Sequence, residues 1–98
     1  MDAMSGKPQP IGRILNDLID GMGARRKIDA ARIVETWASI AGPQINGVTS
    51  SARVERRKLV VRITSSPWRH ELHMNRLAWR SRLNEALGQE LVDEVLFL

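Results

Sequence analysis

The sequence predicts an α+β fold class in which a three-stranded sheet packs on helices, and three stretches carry that expectation. Leu59, Val61 and Ile63 alternate with Val60, Arg62 and Thr64, the two-residue period of a strand with one face on a core. Directly afterwards, Trp68, Leu72, Trp79, Leu83 and Ala86 fall within about 60° of one another at roughly 100° per residue, the buried stripe of a helix. Residues 92–98 read as a last strand, with Val95 and Phe97 on one face and Leu96 and Leu98 on the other. Such a strand is expected inside a sheet, because an exposed apolar edge invites aggregation.

The other elements follow in chain order. Residues 1–9 are rich in Gly, Pro and polar groups and are expected to be a disordered lead, with residues 10–98 a single domain. Pro10 opens a helix in which Ile11, Ile14, Leu15, Leu18 and Ile19 repeat at helical spacing, and Gly21 and Gly23 are expected to end it. Residues 21–27 then read as a loop carrying Arg25, Arg26 and Lys27. Asp29 is placed to cap a second helix reaching residue 41, with Ile33, Val34, Trp37, Ile40 and Ala41 buried and Gly42-Pro43 as its stop. Trp37 lies between aliphatics at helical spacing, the signature of packing more than of a base-stacking platform. After a loop through Asn46 and Gly47, residues 48–55 read as a strand with Ala52 and Val54 on one face. Arg56, Arg57 and Lys58 form the turn into the next strand. Ser66 as N-cap and Pro67 at the first helical position start the long helix, which ends at Leu87-Gly88.

Charge is distributed unevenly along this scaffold. Residues 52–82 hold nine basic groups against two acidic ones, a net of +7 within a chain total of +4. From Leu83 onward there are four acids and no Lys or Arg. Twelve of the fifteen basic residues are Arg, whose fork suits phosphate or carboxylate. Arg69, His73, Arg76 and Arg80 form a cationic rail beside the apolar stripe of the long helix. An anionic partner is the reading this favours; a solvated basic face is the plain alternative. Met74 and Leu77 lie opposite the apolar stripe, and either pack under the first helix or form a patch for protein contact.

Several chemistries find no support. The absence of Cys excludes disulfides and thiolate metal sites. His70-Glu71-Leu72-His73 is one residue short of the zinc signature that sets two His at i and i+4. The Gly21 to Lys27 stretch lacks the preceding strand and following Ser or Thr of a phosphate loop, although Arg25, Arg26 and Lys27 are candidate additional phosphate contacts. No Ser has a strained elbow context. A non-enzymatic protein without metal or cofactor is expected. No apolar run approaches the roughly 20 residues of a membrane span, and the N-terminus has no hydrophobic signal core, which predicts a cytoplasmic protein without membrane contact.

The sequence Trp37-x-x-Ile40-x-Gly42, the strand KLVVRI, Ser65-Ser66-Pro67-Trp68 with Glu71-Leu72, Leu83-Asn84 with Leu87-Gly88, and Val95-x-Phe97 follow one another in the order found in the bacterial DciA family. Residues 11–98 resemble that family. The resemblance implies a K-homology-like αββαβ domain with an extra N-terminal helix. It also implies a replication accessory role, in which the protein helps recruit or load the replicative DnaB-type helicase. Two departures matter: no G-x-x-G loop exists here to clamp a nucleic-acid backbone, and longer members carry a tail beyond the domain. DNA contact, single- or double-stranded and independent of sequence, is therefore expected from Arg53, Arg56, Arg57, Lys58, Arg62, Arg69, Arg76 and Arg80. The alternative is a protein-protein adaptor whose basic face meets an acidic partner, with Met74 and Leu77 as partner contacts.

Overall fold

The computed structural model describes the backbone of residues 11–98 and the side chains from Gly23 onward. The element order is α1 (Ile11–Gly47), β1 (Thr49–Glu55), β2 (Lys58–Ile63), α2 (Ser66–Met74), α3 (Arg76–Leu87) and β3 (Glu94–Phe97). The sheet runs β1-β2-β3, with β1 antiparallel and β3 parallel to the central β2. The helices cover one face of it. The class is α+β as expected, and the order is compatible with a K-homology-like arrangement in which the second helix is split. The expected lead over residues 1–9 lies outside the described residues, as do the side chains of Ile11, Ile14, Leu15, Leu18 and Ile19.

Four expectations are corrected by the structure. First, α1 runs through Gly21 and Gly23, so residues 21–27 are helical and Asp29 caps nothing. Glycine in a helix costs about 1 kcal/mol but does not force a break, and Ala24 to Lys27 are helix formers with no proline among them. The real interruption is at Gly42, whose φ of 82° and ψ of 173° belong to a region open essentially to Gly alone. Pro43 then starts one further helical turn to Gly47, where a loop was expected, and the Asn46 amide donates back to the Ala38 carbonyl at 2.8 Å. Second, the turn between β1 and β2 is Arg56-Arg57 alone, because Lys58 already pairs with Glu55. Third, the N-cap of α2 is Ser65, whose hydroxyl accepts from the Trp68 N–H, and Ser66 is the first helical residue.

The fourth correction has the widest consequence. The single helix expected over residues 67–87 is broken at Asn75, with φ −106° and ψ 18°. The break needs neither Pro nor Gly. The Asn75 amide donates to the Glu71 carbonyl at 2.9 Å and to the Glu71 carboxylate at 3.0 Å, a local alternative to the helical ladder. Resetting the phase leaves Ala86 exposed and turns Leu83, Asn84 and Leu87 inward. Gly88, at φ 77°, closes α3 with its N–H on the Asn84 and Glu85 carbonyls.

The core forms where these elements meet. Leu59, Val61 and Ile63 of β2 and Val95 and Phe97 of β3 face Ile33 and Trp37 of α1, Leu72 of α2, and Leu83 and Leu87 of α3. Trp37, 1% exposed, meets Trp79 edge-on at 5.0 Å between centroids and Phe97 at 5.5 Å, joining α1, α3 and β3. Trp68 and Trp79 are half-buried at the core margin rather than fully enclosed. Asn84 is the only polar side chain buried among the described residues. Its amide donates to the Val92 carbonyl at 2.8 Å and accepts from the Val92 N–H at 3.0 Å, which clamps the segment entering β3 onto α3.

Two substitutions check this packing in chemical denaturation. Trp37→Ala is expected to cost about 3–5 kcal/mol. Trp37→Phe is expected to cost distinctly less, since it keeps most of the ring and removes an indole N–H that is buried without an acceptor. Asn84→Ala is expected to cost roughly 2–4 kcal/mol, because it leaves the Val92 N–H and C=O without partners.

Candidate nucleic-acid interface

Strand alternation divides the cations of the sheet from those of the helices. With Leu59, Val61 and Ile63 in the core, Lys58, Val60 and Arg62 lie on the opposite, open face, where Lys58 and Arg62 are exposed and Val60 between them is buried, in register with Glu55, Arg53 and Ser51 of β1. The eight cations expected to form one Arg-rich face are thus split. Arg53, Lys58 and Arg62 occupy the open face, Arg56 and Arg57 the hairpin tip, and Arg69, Arg76 and Arg80 the helical layer on the far side.

Within each group, hydrogen bonds distinguish tethered from available side chains. Arg57 donates to the Asp93 carboxylate at 3.0 Å and to the Glu90 carbonyl, binding the hairpin to the approach to β3. The Asp93 hydrogen bond and charge raise its pKa above the usual value. Arg53 pairs with Glu55 on its own strand, and Lys58 lies 3.7 Å from Glu94. These are exposed pairs, weak enough for a phosphate to displace. Arg69 donates to the Ile63 carbonyl at 3.0 Å and to the Ser66 hydroxyl at 2.9 Å, which staples the start of α2 to the end of β2. Arg76 bonds the His73 carbonyl at 3.0 Å across the helix break, and Arg80 reaches the Asp93 carbonyl at 3.5 Å. Arg56 and Arg62 are exposed and have no acidic partner among the described residues.

The continuous α1 adds a residue to the hairpin end. A cleft of about 670 Å³ opens between α1 and the hairpin, edged by Arg26, Arg56 and Arg57 over a floor that includes Ile33, Val54 and Leu91. Asp29 is its one acid. Arg25 and Lys27, about 100° around the helix on either side of Arg26, do not line it. Sequence reasoning grouped the three cations but had no means of selecting Arg26, because the pairing depends on where α1 crosses the hairpin. It also missed the Asn84 clamp. The available signal was an Asn directly after Leu83 of the apolar stripe. Among the described residues no group of three His, Cys, Asp or Glu could hold a metal ion, and no helix is long and apolar enough to cross a membrane.

Comparison with known proteins decides the family. The model for Dna[CI] antecedent, DciA, matches residues 10–97. The chain belongs to the DciA family. DciA is a replication-related family, and this assignment agrees with the motif order read from the sequence. Two curated relatives, UPF0232 protein MLBr00004 of Mycobacterium leprae strain Br4923 and UPF0232 protein ML0004 of strain TN, are each 26% identical over 85 residues. Those alignments take in 87% of this chain and 45% of each relative, so the chain spans less than half the length of the curated relatives it matches. No solved structure gives a significant match.

The hairpin of this DciA domain carries a strained cation that can be tested. Arg56 has φ 60°, the one positive value outside glycine among the described residues. Arg56→Gly removes about 1 kcal/mol of backbone strain and adds a similar loss of chain entropy, so thermal unfolding is expected to be nearly unchanged. Arg56→Ile, β-branched in the same conformation, is expected to lower stability by about 1 kcal/mol or more.

Proposed function

We propose that this DciA domain is a non-enzymatic replication accessory module that binds DNA without sequence preference and helps bring a DnaB-type replicative helicase to it. Membership of the family over residues 10–97 carries the replication role. Support for DNA comes from the hairpin end, where Arg26, Arg56 and Arg57 converge on one cleft, with Arg53, Lys58 and Arg62 continuing across the open sheet face. Such contacts position a phosphate backbone and read no bases. Base stacking has little to work with: Trp37 and Phe97 are buried, Trp79 is half-buried and covered by the Arg82 guanidinium at 4.4 Å, and Trp68, half-buried against the core, is the one ring left partly open.

A protein adaptor is the second reading, favoured by Met74 and Leu77, which are 66% and 62% exposed. Titration of labelled single- and double-stranded DNA across a salt series separates the two. DNA affinity is expected to fall steeply with salt. Arg56→Glu with Arg62→Glu is expected to weaken it about tenfold or more at low salt and to flatten the salt slope by about two charges. Absence of binding at low salt would leave the adaptor. Failure to co-purify with the replicative helicase of the same cell would remove the helicase half of the proposal.

A further inference from the structure

The free edge of β3 borders a groove that the DNA reading does not use. β3 is the last strand of the sheet and, among the described residues, pairs only with β2. The Leu98 N–H donates to the Val61 carbonyl at 2.9 Å, and the Leu98 carbonyl accepts from the Ile63 N–H at 2.7 Å, so Leu98 turns both polar groups toward β2. Strand alternation gives Leu96 the same direction and turns the N–H and C=O of Val95 and Phe97 outward. No hydrogen bond to these outward groups is found among the described residues. Beside this edge, Arg76, Leu77 and Arg80 of α3 form the far wall of a groove of about 340 Å³, opposite Asp93, Glu94 and Val95. Met74, the last residue of α2 before the break at Asn75, is exposed as well.

The charges in the groove are asymmetric in a way that selects an occupant. Both acids are already engaged, Asp93 with Arg57 and Glu94 with Lys58. Arg76 and Arg80 bond only backbone carbonyls and the His73 ring, and have no acidic partner among the described residues. We infer that the β3 edge groove is a docking site for an extended acidic segment of a partner protein, which adds a strand beside β3. Its backbone pairs with Val95 and Phe97. Only every second side chain of such a strand faces α3; carboxylates at two of those positions meet Arg76 and Arg80, and an apolar side chain between them rests on Leu77. Main-chain pairing supplies affinity, and the acid and apolar side chains on the helix-facing side supply selectivity. DNA suits the groove less well, since a phosphate backbone has no donors to offer the outward carbonyls and Asp93 and Glu94 line one wall. This site is independent of the DNA reading, because it lies on the helical side of the sheet.

Amide hydrogen exchange followed by NMR on the 98-residue chain tests it. The probe is an octapeptide with threonine at every second position and glutamate and valine in turn between, so that one face carries both, and its counterpart with lysine for glutamate is the control. The glutamate peptide is expected to slow exchange at the Val95 and Phe97 amides about tenfold or more, with no further protection at Leu96, which is already paired. Arg76→Glu with Arg80→Glu is expected to abolish that protection, whereas Arg56→Glu with Arg62→Glu, which tests DNA, leaves it intact. Binding without protection at Val95 and Phe97, equal binding of the lysine peptide, or no binding would each overturn strand addition. Protection of the same amides by a DNA oligonucleotide in place of the peptide would reassign the groove to nucleic acid.

Discussion

Parallel pairing of β2 with β3 is the constraint on which the rest of this fold depends. Two parallel neighbours cannot be joined by a tight turn, so the chain must cross the sheet between them. β2 has six residues, about 20 Å of strand. A continuous helix over the whole crossover would be about 33 Å long and would overshoot the layer it has to cover. The break at Asn75 divides it into helices of nine and twelve residues, about 14 and 18 Å, both short enough to lie on the sheet. Each half then has its own tie. Arg69 holds α2 to the end of β2, and Asn84 holds α3 to the approach to β3. Trp37 of α1 closes the layer by packing against Trp79 and Phe97.

The same crossover organises the charge. It brings the acid-rich final segment against the basic hairpin, so that Asp93 and Glu94 meet Arg57 and Lys58. These exposed pairs contribute little stability individually, but they decide which cations keep no acidic partner. Two groups of those that remain are separated by the sheet: one at the hairpin end with the open face, the other in the groove beside β3. One small domain can in this way present two cationic surfaces that differ in what accompanies the charge. At the hairpin it is a wide cleft; at β3 it is a free strand edge and exposed apolar side chains.

Much of the fold was legible because it rests on interactions between near neighbours in the chain. Strand alternation in KLVVRI, the Ser-Ser-Pro start of a helix, the stop at Gly88 and the inward faces of Val95 and Phe97 all follow from local sterics and hydrogen bonding. The ordered motifs carried the family as well. Local signals failed where two outcomes are nearly equal in energy. Gly21 and Gly23 allow a break in α1 without requiring one, and Asn75 makes a break cheap without announcing it.

By itself, then, the sequence determined the class, the identity of most elements, the family and the excess of Arg over residues 52–82. Tertiary structure alone decided how that charge is shared out. Arg53, Arg62, Arg76 and Arg80 look alike along the chain, yet the direction of a strand side chain and the phase of a helix after Asn75 place the first two on one side of the sheet and the last two on the other. Arg26 joins the hairpin for a similar reason, since its neighbour in space is some thirty residues away in sequence and is set by the path of α1. Residue type establishes what a side chain can bind, and long-range packing establishes what it stands beside.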